Sequence, residues 1–300
     1  MSYPCDISIV KENLSCVCVK QAFTLTNQVS RKGMGLFSGA LAEISFLPAP
    51  EGHGIVFQRM DLDGEPLLPA QLKNVQGTPR CTILGNQGVS IQTVEHLLAA
   101  LAACGIDNLL IQVSGPEVPV FDGSSKVFVE MIEEAGLCAL NDSVPVYGIS
   151  KPLYWSVGDV HIVAIPSDEY RISYTLHYPH SKLLKAQFFT VQVNADTFKK
   201  DIAPCRTFSL YEEILPFIEK GLLKGGSLEN AVIIKNDEVM NPEGLRFPDE
   251  MVRHKIVDMI GDLSLIGSPF LAHIIAIRSG HFANNAFAKE LQNHIKMEIS

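Results

Sequence analysis

The sequence predicts an α+β protein built from two related α/β halves, and two observations carry that expectation. The hydrophobic period switches from about two residues to about 3.6 partway through each half, and the order strands, helix, strand, helix occurs twice along the 300 residues. A chain of that length can bury two cores. The polar segment "NDSVPVYG" at 141–148, with Pro145 inside it, is the expected boundary. It divides an N-terminal domain, 1–143, from a C-terminal domain, 144–300.

In chain order, "CVCVKQAFTL", "ALAEISFLPA" and "GIVFQRMD" read as strands separated by turns rich in Gly and Pro. "SIQTVEHLLAALAACGIDN" then reads as a helix stopped by Gly105, and "NLLIQVSG" as a strand. "DGSSKVFVEMIEEAG" reads as a second helix, capped through Asp122 and Ser124 and ended by Gly136. The second half repeats the order with strands "DVHIVAIP", "RISYTLHYP" and "KAQFFTVQV", the helix "PDEMVRHKIVDMIGDLSLIG", the strand "AHIIAIRSG" and a helix from about Phe282. An added helix, "SLYEEILPFIEKGLLKGG", interrupts this copy. Pro216 predicts a bend or a late start there, and Gly225-Gly226 a turn after it.

Composition excludes several classes. With 47% hydrophobic and 19% charged residues the chain is expected to be an ordinary globular protein. Its net charge of -9 and lack of basic runs argue against nucleic acid or an anionic membrane as partner. The first 25 residues carry Asp6, Lys11, Glu12 and Lys20 among their apolar positions, so no secretory core forms. No apolar run approaches the roughly 20 residues of a membrane span, and a cytoplasmic location is expected. Seven scattered cysteines without a C-x-x-C spacing predict reduced thiols, with Cys104 a small buried hydrophobe.

The chemistry concentrates on "RFPDEMVRHKIVDMIGDLSLIG". On a helix its His254, Asp258 and Asp262 stack on one face at four-residue spacing. Two aspartates so placed repel unless a cation sits beside them. His254 and Asp258 can ligate one ion, and the corresponding helix of the first half offers His96 as a third ligand. Two imidazoles and a carboxylate suit zinc, and three protein ligands leave a fourth position for water, the mark of a catalytic site. Such a donor set accepts Fe2+ as well. Glu95, beside His96, is placed to act as general base. His281 follows Gly280, and Asp262, one turn beyond Asp258, can hold it as a general acid. Lys255 is positioned to polarise a carbonyl or meet a phosphate. The segment "CRTFSL" offers Thr207 as a hydroxyl donor and Phe208 as an apolar wall. Tyr211, Ile214, Leu215 and Leu223 of the added helix belong either to the core or to an apolar passage. The remaining histidines, among them His177 and His294, have no partner pattern.

At these residues the chain resembles the zinc-dependent UDP-3-O-acyl-N-acetylglucosamine deacetylases of lipid A synthesis in Gram-negative bacteria. The resemblance runs from about Gln21 to the C-terminus through "SIQTVEHLLAALAACGIDN", "GPEVPVFDGSS", "RTFSL", "KGGSLENAVI", "GLRFPDEMVRHKIVDMIGDLSLIG" and "SGHFANNAFAKEL". It implies two domains that sandwich their helices between sheets, each with a small insert. It implies one Zn2+ on His96, His254 and Asp258, Glu95 as base, and His281 held by Asp262 as acid. It further implies Thr207 as an oxyanion donor, Lys255 and Arg278 near the carbonyl or diphosphate, and Phe208 packed on substrate. The insert would form the acyl passage, with Tyr211, Ile214, Leu223, Gly226 and Ser227 as contacts.

The implied substrate is a UDP-sugar carrying an acyl chain, turned over by a monomer. The chain departs from the family twice. In "GMGLFSG", Phe37 replaces a histidine able to join a second, inhibitory metal, which implies weaker inhibition by excess zinc. In "TLHYPHS", at His177 and Tyr178, the usual Asn-His-Pro pattern is missing. No dehydratase segment follows, so the fused form is not expected. Two other readings stand beside this one: a zinc amidase acting on another acylated sugar or peptide, and a non-catalytic metal- or sugar-nucleotide-binding relative.

Overall fold

The computed structural model describes residues 16–299, with the side chains of 16, 17 and 296–299 left aside. Cys5 and most of the N-terminal stretch lie outside the described residues. The fold is α+β in two domains. In the first, five strands pair in the order Val29–Met34, Leu41–Pro48, Leu109–Val113, Ile55–Arg59 and Leu67–Pro69. A separate three-stranded sheet joins Val75–Gly77, Ile83–Asn86 and Val89–Gln92.

The second domain is built on seven strands, five of them in the order Cys16–Leu25, Leu137–Gly148, Phe270–Ile277, Val160–Ile165 and Leu153–Val157. Tyr170–Tyr178 also pairs with Phe270–Ile277, in parallel, and carries Lys185–Gln192 on its other side. A small sheet of Phe208–Leu210, Val232–Lys235 and Glu238–Val239 forms the insert.

Among the described residues there are six α-helices: α1 (Glu95–Ala103), α2 (Lys126–Ala135), α3 (Ala195–Thr197), α4 (Tyr211–Glu219), α5 (Glu250–Ser264) and α6 (His281–Ile299). Helices α1 and α5 are buried nearly all round, as a helix enclosed on every side must be. They pack closely on each other, and Gly261 explains how. A Cβ on Gly261 would lie 2.0 Å from the carbonyl oxygen of Glu95, so only glycine admits that contact. The crossing brings Glu95 and His96 of one domain against the acidic face of α5 in the other.

Four sequence expectations change. Ser90–Gln92 belongs to a strand, because α1 begins only after Thr93, whose φ of 60° turns the chain. Residues 141–148, expected as a polar boundary loop, are extended and paired within Leu137–Gly148. Pro145 is tolerated there opposite Val19. Helix α4 starts at Tyr211, ahead of Pro216, not after it. Helix α6 begins at His281 itself, so this imidazole sits on the first turn. Cys81, Cys104, Cys138 and Cys205 are free thiols, Cys104 buried as expected. Among the described residues no helix is long and apolar enough to cross a membrane.

Candidate active site

The crossing of α1 and α5 gathers His96, His254 and Asp258, all buried, with one donor atom from each within 4.8 Å of the others. His254 Nε2 lies 3.3 Å and His96 Nε2 3.6 Å from Asp258 Oδ1. The two rings meet edge to face at 4.8 Å. His254 Nδ1 is 3.1 Å from the carbonyl oxygen of Cys205, an acceptor only. Nδ1 therefore carries a proton, and Nε2 faces Asp258.

Burial lowers the His96 pKa and keeps that ring neutral. Burial opposes charge on Asp258, but Lys255 and His254 outweigh it and hold its carboxyl well below the usual range. Lys255 Nζ donates to Asp258 Oδ2 at 2.5 Å. Burial works against that ammonium too, and Asp258 overrides it, raising the Lys255 pKa. Two imidazole nitrogens and one anionic carboxylate oxygen thus face a common point. That donor set fits a divalent metal of the zinc type.

A proton-transfer pair lies beside it. Glu95 is buried, its Oε1 3.7 Å from His281 Nε2. Burial pushes the Glu95 carboxyl up to about 7, with His281 opposing and Asp262 and Asp258 reinforcing the rise. His281 Nδ1 donates to Asp262 Oδ2 at 2.9 Å. Burial would lower the His281 pKa, yet Asp262, Glu95 and Asp258 together raise it to about 9. One group is poised to accept a proton near neutrality and the other to give one.

These groups line a polar cavity of about 170 Å³. Thr207, Phe208 and Lys255 open onto it, as does Tyr178, whereas the adjacent His177 is exposed. An apolar cavity of about 370 Å³ shares Thr207, Phe208 and Phe37 with it. Tyr211, Ile214, Leu223, Gly226 and Ser227 line this second space. Of the residues left open between passage and core, Tyr211, Ile214 and Leu223 border this cavity and Leu215 does not. Gly225 lets it close on the loop from Gly35, since a Cβ there would meet the Gly35 carbonyl oxygen at 2.0 Å. Arg278 lines neither cavity: its guanidinium reaches Asp159 at 3.5 Å.

Several site residues had no signal in the sequence. Thr82, 180 positions from Asp262, hydrogen-bonds to it, and Arg80 lines both cavities while stacking 4.5 Å over Phe217 of α4. Buried Glu117 accepts from the backbone N–H of Phe37 and Ser38 and from Thr93 Oγ1, fixing the loop that borders both cavities. Asn284 donates to Asp262 Oδ2 at 2.9 Å from its place three residues after His281 on the same helix.

Residues 22–293 match the family model of LpxC, UDP-3-O-acyl N-acetylglycosamine deacetylase. Curated relatives named UDP-3-O-acyl-N-acetylglucosamine deacetylase include that of Chlamydia pneumoniae, 46% identical over 91% of this chain and 98% of its own length. That of Chlamydia muridarum is 47% identical over 92% and 96%, and that of Chlamydia abortus 48% over 89% and 95%. With a family model spanning nearly the whole chain and relatives similar along their full length, this protein belongs to the UDP-3-O-acyl-N-acetylglucosamine deacetylase family.

Proposed function

We propose that this protein hydrolyses the N-acetyl group of a UDP-3-O-acyl-N-acetylglucosamine, releasing acetate in the committed step of lipid A synthesis. It acts as a cytoplasmic monomer that needs one catalytic metal ion, Zn2+ or, in the cell, Fe2+. The observation that carries the proposal is a metal-type donor set and an acid–base pair in a polar cavity that opens directly into an apolar one. A polar head reacts in the first while an acyl chain lies in the second.

His96, His254 and Asp258 would hold the ion. Zinc bound there supplies Lewis acidity and lowers the pKa of water to about 7. Glu95, tuned to about 7, takes a proton from the attacking water as its oxygen bonds to the acetyl carbon. Thr207, on the rim between the cavities, donates to the developing oxyanion, and the Lys255 ammonium lies close by. His281, held charged by Asp262, gives its Nε2 proton to the sugar nitrogen as the C–N bond breaks. Acetate and a free amine result. Phe208 and the insert residues hold the acyl chain. Arg278 would reach the diphosphate only from outside the two cavities.

The test is mass spectrometry of UDP-3-O-acyl-N-acetylglucosamine incubated with the purified protein, with and without a chelator. Loss of one acetyl group, stopped by chelator and restored by zinc, is the expected result. No acetyl loss from metal-loaded protein would move the assignment to another acylated sugar.

A further inference from the structure

Thr82 is completely buried, and each of its polar groups is bonded to the machinery of the site. Its backbone N–H donates to Glu95 Oε2 at 3.1 Å. Its carbonyl accepts from the N–H of Thr93 at 3.1 Å. Its hydroxyl lies 2.5 Å from Asp262 Oδ1, the oxygen that His281 leaves open. We propose that Thr82 is a positioning residue that sets both proton-transfer groups at once, Glu95 through its backbone and His281 through Asp262. This rests on the deacetylase reading for its kinetic part only.

The direction of the hydroxyl bond follows from its neighbours. Asn285 Nδ2 is 2.9 Å from the carbonyl oxygen of His281, which can only accept, so the Asn285 amide orientation is determined. The same NH2 group is 3.3 Å from Thr82 Oγ1. The hydroxyl therefore accepts from Asn285 and gives its proton to Asp262. Asn284 and His281 occupy the other carboxylate oxygen. With both oxygens engaged, Asp262 cannot rotate, and the imidazole it holds keeps Nε2 towards Glu95.

Backbone geometry supports the assignment. Thr93, which Thr82 anchors, has a φ of 60°, a left-handed conformation that a β-branched residue adopts at a cost. Glu117 holds the Thr93 hydroxyl at 3.1 Å. Two residues later comes Glu95. The strained turn and its two anchors thus fix where α1 begins, and with it the base.

Thr82→Val keeps the side-chain shape and removes the hydroxyl; Thr82→Ser keeps the hydroxyl. In the zinc-loaded enzyme, Thr82→Val is expected to lower kcat by roughly 10- to 100-fold, with KM and zinc content unchanged. Thr82→Ser is expected to restore most of that loss. Wild-type turnover in Thr82→Val, or an equal loss in Thr82→Ser, would overturn the proposal. Crystal structures of both variants give a readout that needs no substrate. The His281 ring should leave Asp262 in Thr82→Val and remain in Thr82→Ser; a ring still in place in Thr82→Val also overturns it. Should Thr82→Val not fold, Asn285→Ala replaces it with the same expected kcat loss, and wild-type turnover there overturns the proposal. A wild-type protein that removes no acetyl group sinks the deacetylase reading and leaves the structural readout to decide on Thr82.

Discussion

Two clusters of buried charge sit within a few residues of each other, and they are built on opposite rules. Glu250, at the start of α5, accepts from Arg206 N at 2.9 Å, Arg206 Nε at 2.8 Å, Arg206 Nη2 at 3.1 Å and Arg246 N at 2.7 Å. Arg206 also donates to the carbonyl oxygen of Gly244 at 2.7 Å and to Glu243. Each lone pair meets a donor, which is how a buried ion pair is tolerated. One helical turn on, His254 and Asp258, with His96 from α1, bring one ligand atom each to a common point. The first cluster is closed and holds shape; the second is open and can take a cation. They are also joined: Arg206 is flanked by Cys205, whose carbonyl orients His254, and by Thr207, on the cavity rim. The closed cluster positions the open one.

Substitutions can break this contrast, and the largest effect is expected at the open cluster. His254→Ala should remove bound zinc and turnover together, and should cost the metal-free protein less stability than a break in the closed cluster does. Metal analysis beside a denaturation curve checks both halves. Full zinc occupancy in the variant would remove His254 from the ligand set.

His281→Ala follows, with turnover lowered by roughly 10²- to 10⁴-fold and zinc still bound. Unchanged turnover would take His281 out of the mechanism. At the closed cluster, Arg206→Met leaves Glu250 buried with its backbone donors but without the guanidinium, and should cost about 3–5 kcal/mol of stability. Urea denaturation measures it, and a loss no larger than that of metal-free His254→Ala would erase the distinction.

The smallest effect is the sign of the pH dependence. In the fold, Glu250 has a lowered pKa: burial raises it, but Arg206 and the backbone N–H donors outweigh burial. Its stabilisation is present above the unfolded pKa and fades as pH falls through the lower folded value. Glu95 runs the other way, raised from 4.5 to about 7, chiefly by burial. The metal-free protein therefore loses stability through Glu95 as pH rises towards about 7. Denaturation midpoints should show Glu95→Gln abolishing this loss towards neutral pH and Glu250→Gln the loss at low pH. Matching slopes in the two variants would contradict the assignment.

Much of this was present in the sequence, for reasons that differ by residue. His254, Asp258 and Asp262 recur every four positions on an apolar helix, so their shared face follows from helical geometry alone. His281 and Asn284 share the first turn of α6, which became evident only once that helix was found to begin at His281. The paired halves were readable because each repeats one order of periods, and Gly105 and Gly136, at φ 74° and 73°, end helices where expected. What the sequence alone determined was local: which residues share an element, and which way they point.

Contacts between distant segments came only from the tertiary structure. The purpose of Gly261 appears only when Glu95 packs against it. Thr82 stands 180 residues from Asp262 with no periodic relation to it. Arg206 is 44 positions from Glu250, and only the fold brings the two together. Residues 141–148 looked like a linker because polar side chains and a proline mark turns as often as edge strands. Pairing with Cys16–Leu25 decided between the two. Periodicity encodes the path of one segment; the partner of a buried polar group is settled by which segments pack together, and that depends on the whole chain.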